Sequence, residues 1–564
     1  MKGHQINQFR DLPTAELPRS TFDRPFGSMH TIDSGYLVPI FWEEVLPGDT
    51  HILNTTLFGR LPATVVPVMD NIYLDLFFFY VPNRLIWDNF EKFMGAQDNP
   101  GDSIDYLEPQ VLSGSNGYSR YGILDNLGIV PAVPNVSVTA KFTRAYNLIW
   151  NEWFRCEYLQ DSVKVDTDDG PDNESDYVLL RRGKRHDYYT TCLPTPVKGV
   201  GVELPLSGNV PTYLSTDLYV NGNDNSLRIV NGGRTGTAGQ VYSVGIEDLN
   251  SDNALYLGIG TPGTSTVGGT LTNVTTSNSN TLTSINLRPT GDSGVLVKQS
   301  QNTGAIGYAD LSNVTAVTIN SLRTAFALQH FLELENRGGS RYTEILQNFF
   351  NVKSPDARLQ RPEFLGMSTT RIVSHPVAQT SSTDSTTPQA NLTAYSTVAS
   401  TGNGFSRSFV EHGVILGMVC MRTDLKYQQG IDRHFSRKTR YDYAFPCFAH
   451  LGEQEVLNKE VYVQGNSADN EVFGYNERYA EYRYRNSYVT GKFRSSDPQS
   501  LDVWHMAQNF ANLPTLSSDF IEENPPIERV LAVQDEPQLL LDVWYDLTSI
   551  RELPMYGTPG LGRL

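Results

Sequence analysis

Cysteine is scarce: only Cys156, Cys192, Cys420 and Cys447 occur in 564 residues, and no two stand in a paired spacing. That argues against a disulfide scaffold and points to reduced thiols made in a reducing compartment. No long apolar run exists either. The longest, LFFFYV and VILGMVCM, fall far short of the roughly 18–20 residues that cross a bilayer. The opening MKGHQINQFRDLP lacks the apolar core of a secretory signal, so a soluble chain without membrane insertion or standard export is expected. Basic excess is missing as well, with 44 Lys and Arg against 62 Asp and Glu and a formal net charge of -18. A nucleic-acid partner would therefore need a local basic patch or a separate basic adaptor. Charge disappears altogether from Gly258 to Ser284, a run of Gly, Ser, Thr and Asn with few apolar residues. Alone, such a run buries too little to offset the entropy of ordering it, so it is a linker or gains order by packing on something else.

What the chain does have is aromatics, 29 Tyr, 26 Phe and 6 Trp, enough for a sizeable core. Residues 1–50 are rich in Pro and turns without a period and read as an extended arm. In NIYLDLFFFYVP, Leu74, Leu76, Phe78 and Tyr80 fall on one face and Tyr73, Asp75, Phe77 and Phe79 on the other, the pattern of a strand buried on both sides. Pro82 ends it, and LIWDNFEKFMG reads as a short helix closed by Gly95. Tyr146, Ile149, Trp150 and Trp153 stand at helical spacing within 143–160. A second helix is expected over 321–337, with Ser321 as N-cap and Gly338-Gly339 as the stop. VILGMVCM is a buried strand, and YAEYRYRN and LLLDVWYDL alternate as half-buried strands. The fold class that follows is mainly β with helices in the connections, a sandwich or barrel. Between about Ser207 and Asp310 charges thin out and short apolar pieces such as ALYLGI look like brief strands, which reads as an insertion.

Motifs for chemistry dissolve on inspection. GIGTPG lacks the flanking strand, helix and acidic residue of a dinucleotide site and, with Pro262, reads as a loop. GDSG at 291–294 is followed by Val295 and has no His and Asp in suitable sequence, so Ser293 is not a nucleophile. Cys447 and His450 have no second ligand pair and read as two partly buried residues. DTDDGPDNE at 166–174 misses the calcium-loop spacing and reads as a solvated loop or intersubunit contact. No catalytic, cofactor-binding or metal-binding residues are assigned, and an enzyme is not expected. Two basic clusters remain, RRGKRHD at 181–187 and RHFSRKTRYDY at 433–443, the second interleaved with aromatics. Each is read either as a phosphate contact or as ion pairing across subunits. The first leans towards ion pairing.

PRSTFDRPFGSMHTIDSGYLVPIFWEEVLPGDT, PVMDNIYLDLFFFYVPNRLIWDNFEKFMG and LLRRGKRHDYYTTCLP resemble successive stretches of the major capsid protein of gokushoviruses. These are a branch of the Microviridae, small tailless phages with circular single-stranded DNA. SPDARLQRPEFLG, SFVEHGVILGMV, YQQGIDRHFSRKTRYDY, EVFGYNERYAEYRYR and WHMAQNFANLPTLSSDFIEENPPIERVLAV continue the series in the same order. The resemblance covers nearly all of 1–206 and 311–564. It implies an eight-stranded antiparallel jelly roll with large loop insertions containing short helices, plus extended terminal arms. The organisation expected is a 1–50 arm, a core of 51–206 and 311–564, and a 207–310 protrusion.

By the same resemblance, about sixty copies close into a T=1 icosahedral shell around the genome. The implied partners are other copies, a small basic DNA-binding protein, the single-stranded DNA, a minor pilot protein and a host surface receptor such as a glycan. The location is the virion, assembled in the bacterial host cytoplasm. Contact with DNA or a basic peptide is assigned to Arg433, Arg437, Lys438 and Arg440. Host attachment is assigned to a polar protrusion carrying Thr264, Thr266, Thr272, Asn273, Thr275, Asn278 and Asn280. The alternative is a jelly-roll carbohydrate-binding protein, a lectin.

Overall fold

The computed structural model describes residues 19–199, 201–202, 319–339, 341–351, 360–381, 383 and 389–556, with the backbone of short strands between 212 and 309. Nine strands form the framework: β1 Ser20–Asp23, β2 Phe26–Ile32, β3 Val38–Val45, β4 Thr50–Thr64, β5 Ile72–Pro82, β6 Glu363–Ala378, β7 Leu392–Ser408, β8 Gly413–Thr423 and β9 Leu539–Arg551. Apart from β5–β6 and β6–β7, neighbours in space are not neighbours in sequence. One antiparallel set runs β2-β9-β4-β7 and the other β3-β8-β5-β6. These are the two interleaved four-stranded sheets of a jelly roll. Strand β6 belongs to both, pairing β5 through Ile372 and β7 from Val373 onward.

Periodicity explains how the sheets stack. On β9, Leu539, Leu541, Val543, Tyr545 and Leu547 point into the core while Leu540, Asp542, Trp544 and Asp546 point out. Strand β8 is buried throughout and β5 everywhere but at half-buried Tyr73, because both of their faces are covered. Leu74, Leu76, Phe78, Ile415, Val419 and Met421 pack against the first sheet. Phe77, Phe79, Val81, Leu416, Met418 and Cys420 pack against the insertion that follows β5. Each such side chain contributes roughly 1.5–3 kcal/mol on burial. The expected strand buried on both sides is present.

That insertion includes α1 Lys141–Ile149, whose Ala145, Tyr146 and Ile149 lie on the second sheet. The Tyr146 hydroxyl donates to the Leu37 carbonyl at 2.7 Å and accepts from the Leu180 amide at 3.0 Å, which ties helix, strand and connection together. After α1 the backbone widens into a π turn over Trp150–Phe154. Where the 181–193 segment meets the β8–β9 insertion, a third core holds Tyr188, Tyr189, Tyr427, Phe473 and Phe520.

Several sequence readings change. The extended 1–50 stretch lies, from Ser20 on, in this chain's own sheets as β1, β2 and β3, and residues 1–18 are outside the described residues. The helix after Pro82 shrinks to a turn at Asn83–Leu85 and one at Phe90–Phe93. Helix α2 spans Ile319–Gly338, so Ser321 is inside it and not its cap. YAEYRYRN is no strand: Tyr479 takes a left-handed φ of 63° and Ala480–Tyr482 form a 3-10 turn. Helix α3 follows at Tyr342–Phe350.

Residues 202–328 separate as a second compact unit. Its strand pairs are antiparallel: Thr212–Leu214 with Gly307–Ala309, Leu257–Gly260 with Gly294–Val297, and Val274–Thr276 with Leu282–Ile285. Thr275 falls on one of these strands. Thr264, Thr266, Thr272, Asn273, Asn278 and Asn280 lie outside the described residues, as does most of the 207–310 region.

Candidate functional site

The second basic cluster folds as a chain of short turns, each started by a polar side chain. Asp432 accepts from the His434 amide at 2.9 Å, opening the turn Arg433–Phe435. Asp442 accepts from the amides of Lys438 and Thr439 at 2.8 and 2.7 Å, closing the loop before Tyr443. Such caps satisfy backbone donors without a sheet or long helix, so long side chains are displayed outward.

Of the four cations assigned from sequence, two are held inside the chain. Arg433 donates to the Glu455 carbonyl at 2.6 Å and to Glu460 Oε1 at 3.0 Å. Burial pushes the Glu460 carboxyl above its ordinary value, and Arg433 works against that shift. Arg437 donates to Glu481 Oε1 at 3.3 Å, and its guanidinium lies 5.1 Å from the Tyr443 ring and 4.8 Å from the Tyr482 ring. Lys438 and Arg440 are exposed and make no ion pair among the described residues, Arg440 lying 4.7 Å over Tyr441. Arg440 also donates to the Tyr441 hydroxyl, so the structure holds Arg433 and Arg437 on carboxylates and leaves Lys438 and Arg440 without one among the described residues.

Around them aromatic faces are open to solvent: Phe435 is 85% exposed, and Tyr441, Tyr443, Tyr482 and Tyr488 are each more than half exposed. Large exposed aromatics are uncommon on a surface that meets only water. Cations with stacking faces suit bases and phosphates, and equally a basic peptide lying on tyrosine. Sequence reading missed the contribution of Tyr482 and Tyr484, because their alternation suggested a half-buried strand. The signal for a turn was absent, since Tyr479 rather than Gly takes the positive φ.

The first basic cluster is mostly internal. Arg182 pairs with buried Asp75 at 2.5 Å, and Arg422 joins them at 2.8 Å. Lys184 is buried, donating to the Phe520 carbonyl at 2.5 Å, and burial lowers its ammonium pKa despite nearby Glu523. Arg181 stacks on Tyr36 at 4.3 Å. These cations pair within the chain. Arg185 and His186 are exposed.

The acidic loop 166–174 is fastened at buried Asp172, while Asp168, Asp169 and Asn173 stay exposed to solvent. Asp172 pairs with Arg144, while Asp169 accepts from the Trp87 indole at 2.7 Å. Cys447 and His450 are exposed, not partly buried. The four cysteines are free. Among the described residues no group of three or more His, Cys, Asp or Glu side chains could hold a metal ion, and no helix is long and apolar enough to cross a membrane.

Known proteins place this architecture. Residues 10–561 match the family described as "Capsid protein (F protein)". Capsid protein VP1 of Bdellovibrio phage phiMH2K is 45% identical over 563 residues, covering 99% of this chain and 98% of the relative. Capsid protein VP1 of Chlamydia phage 1 is 41% identical and that of Spiroplasma virus 4 is 33% identical, each over 99% of this chain and 98% of its own length. With a jelly roll underneath and this similarity from end to end, the chain belongs to the capsid-protein family of Microviridae-type phages.

Proposed function

We propose that this major capsid protein assembles in about sixty copies into a T=1 icosahedral shell that encloses circular single-stranded DNA. The observation that carries the reading is the end-to-end similarity to capsid proteins on a jelly-roll framework. The net charge of -18 repels a genome, so a small basic DNA-binding protein lies between shell and strand. The exposed tyrosines Tyr441, Tyr443 and Tyr482, with the exposed cations Lys438 and Arg440, contact DNA or that basic partner. The 207–310 insertion forms the three-fold protrusion, and its Thr and Asn side chains meet the host surface. A minor pilot protein completes the particle, which is assembled in the bacterial cytoplasm.

Nuclease treatment of purified particles tests the enclosure. Circular single-stranded DNA that survives digestion and co-sediments with this chain is expected. Particles that form without protected DNA, or that protect linear duplex DNA, would overturn it. Deleting residues 258–284 tests the protrusion: shells should form and adsorb poorly, whereas loss of assembly would make the run structural.

A further inference from the structure

Where β1, β3, β4 and β9 come together, five ionisable side chains form one cluster: Arg24, Glu43, Asp49, His51 and Arg551. His51 of β4 is fully buried and Asp49, in the loop before it, is 1% exposed. Arg551 of β9 is held three times, by Asp49 at 2.9 Å, Glu43 at 2.7 Å and the Glu44 carbonyl at 2.7 Å. Arg24, between β1 and β2, is held less well. Its Nη2 donates to Glu43 Oε1 and to Ser549 Oγ, both at 2.7 Å, and its Nε is buried without a hydrogen-bond partner. Arg407, opposite His51 on β7, is engaged by Glu363 at 2.7 Å, and Arg19 donates to the Gly48 carbonyl. With His51 neutral, two guanidiniums of the cluster balance two carboxylates.

Ser549 joins the two halves of the cluster. Its fully buried hydroxyl lies 2.9 Å from His51 Nδ1, across the β4–β9 pairing. A guanidinium only donates, so Ser549 accepts from Arg24 and keeps its one proton for Nδ1. The neutral ring then carries its hydrogen on Nε2, 3.3 Å from Asp49 Oδ2 and without a hydrogen bond. A proton from solvent on Nδ1 makes that atom a donor. The Ser549 hydroxyl loses its acceptor, and two cations converge on its oxygen. The cluster then holds one positive charge in excess, in a place closed to water. Burial opposes that charge most, the guanidiniums of Arg551 and Arg24 add to it, and Glu43 and Asp49 work the other way.

Arg24 is the member that can leave, its side chain 38% exposed against 15% for Arg551. Strand β1 depends on it. Ser20–Asp23 stands at the sheet's edge, pairs with β9 alone, and none of its residues is buried. An edge strand with so little burial sits at the low end of local stability. We infer that His51, Ser549 and Arg24 form an acid-released latch, in which a proton on His51 turns Ser549 away from Arg24 and frees β1 from β9. Strand β2 stays, because its seven residues pair with β9 from Phe26 to Ile32 and bury Ile32 in the core. Acid thus bares the Thr548–Arg551 edge of β9, whose free backbone groups can pair with another strand.

Hydrogen exchange of the full-length chain tests the latch. Mass spectrometry follows peptides covering Ser20–Asp23 and Phe26–Ile32 at about pH 7.5 and 5.5, with the intrinsic pH dependence of exchange divided out. Opening takes up one proton, so protection of Ser20–Asp23 should fall about five- to tenfold between those pH values, as a freed histidine titrating near 6.5 dictates. Protection of Phe26–Ile32 should hold. His51→Gln should abolish the fall. Ser549→Ala keeps the histidine and removes the link, so protection of Ser20–Asp23 should already be low at pH 7.5 and should not change with pH. Equal protection of the parent at both pH values, or an undiminished fall in His51→Gln, overturns the latch. Should His51→Gln not fold, a fall in Ser549→Ala as large as the parent's overturns it by itself. A fall shared equally by Phe26–Ile32 overturns local release in favour of a general loosening in acid.

Discussion

Arg144 and Asp172 meet side on, Nε to Oδ2 at 2.7 Å and Nη2 to Oδ1 at 2.5 Å, with both side chains 1% exposed. The same guanidinium donates to the carbonyls of Ile86 and Asp168 at 3.0 and 2.9 Å, and Tyr177 donates to Asp172. One buried pair thus fastens α1, the end of the Asn83–Leu85 turn and the 166–174 loop over the second sheet.

Replacing Asp172 by Ala leaves Arg144 buried without its counter-charge. The expected cost is about 3–5 kcal/mol, the usual penalty for breaking a buried pair from one side. Denaturant unfolding of the subunit measures it, and a cost below about 1 kcal/mol would contradict the structure.

Two adjacent leucines on β9 should behave oppositely. Leu541 is buried between the sheets and Leu540 is half exposed on the outer face. Leu541→Ala should lose about 2–5 kcal/mol. Leu540→Ser should stay within about 0.5 kcal/mol of the parent. Similar losses at both positions would mean that the strand's register is wrong.

The four assigned cations should separate in the same way. Arg433→Ala strands buried Glu460 and should destabilise the subunit by about 1–3 kcal/mol. Lys438→Ala with Arg440→Ala should leave the melting temperature unchanged and lower the packaged DNA. Normal DNA content in particles of the double variant would remove these two residues from the contact surface.

Acid should weaken the fold through its histidines. Burial holds the imidazoles of His30, His51 and His505 below their ordinary value. Unfolding frees them to take up protons near pH 6.5, so their contribution is complete above about that pH and is lost as the pH falls through the lowered folded values. Glu460 and Glu523 act in the opposite sense, since burial raises their carboxyls. His51→Gln isolates one term. Between about pH 7.5 and 5.5 its melting temperature should fall less than the parent's, and an equal or steeper fall would contradict the assignment.

Where one residue type repeats at a clear period, the fold was legible in the sequence. The alternation of Leu541, Val543 and Tyr545, the doubly apolar Phe77–Phe78–Phe79 and the run around Leu416 each report which faces are covered, because burial dictates composition there. What periodicity cannot report is pairing across distance. Asp75 reads as an oddity in an apolar strand until Arg182 and Arg422 close on it from far along the chain. The burial of Asp172 within the acidic 166–174 loop was hidden for the same reason, its partner Arg144 lying on a helix. Ser20 to Val45 showed no period because its three strands pair in two different sheets, with edges and turns between. The second basic cluster was half visible: its cations stood out against an acidic background, while the exposed Tyr482 and Tyr484 were hidden by an alternation that mimics a strand.

The central claim is that this chain is a self-assembling coat subunit, and the mass and shape of the purified full-length protein test it most directly. Sedimentation with negative-stain electron microscopy should find closed shells of about sixty copies, with knobs at the three-fold positions. A stable monomer or dimer under assembly conditions would contradict the account.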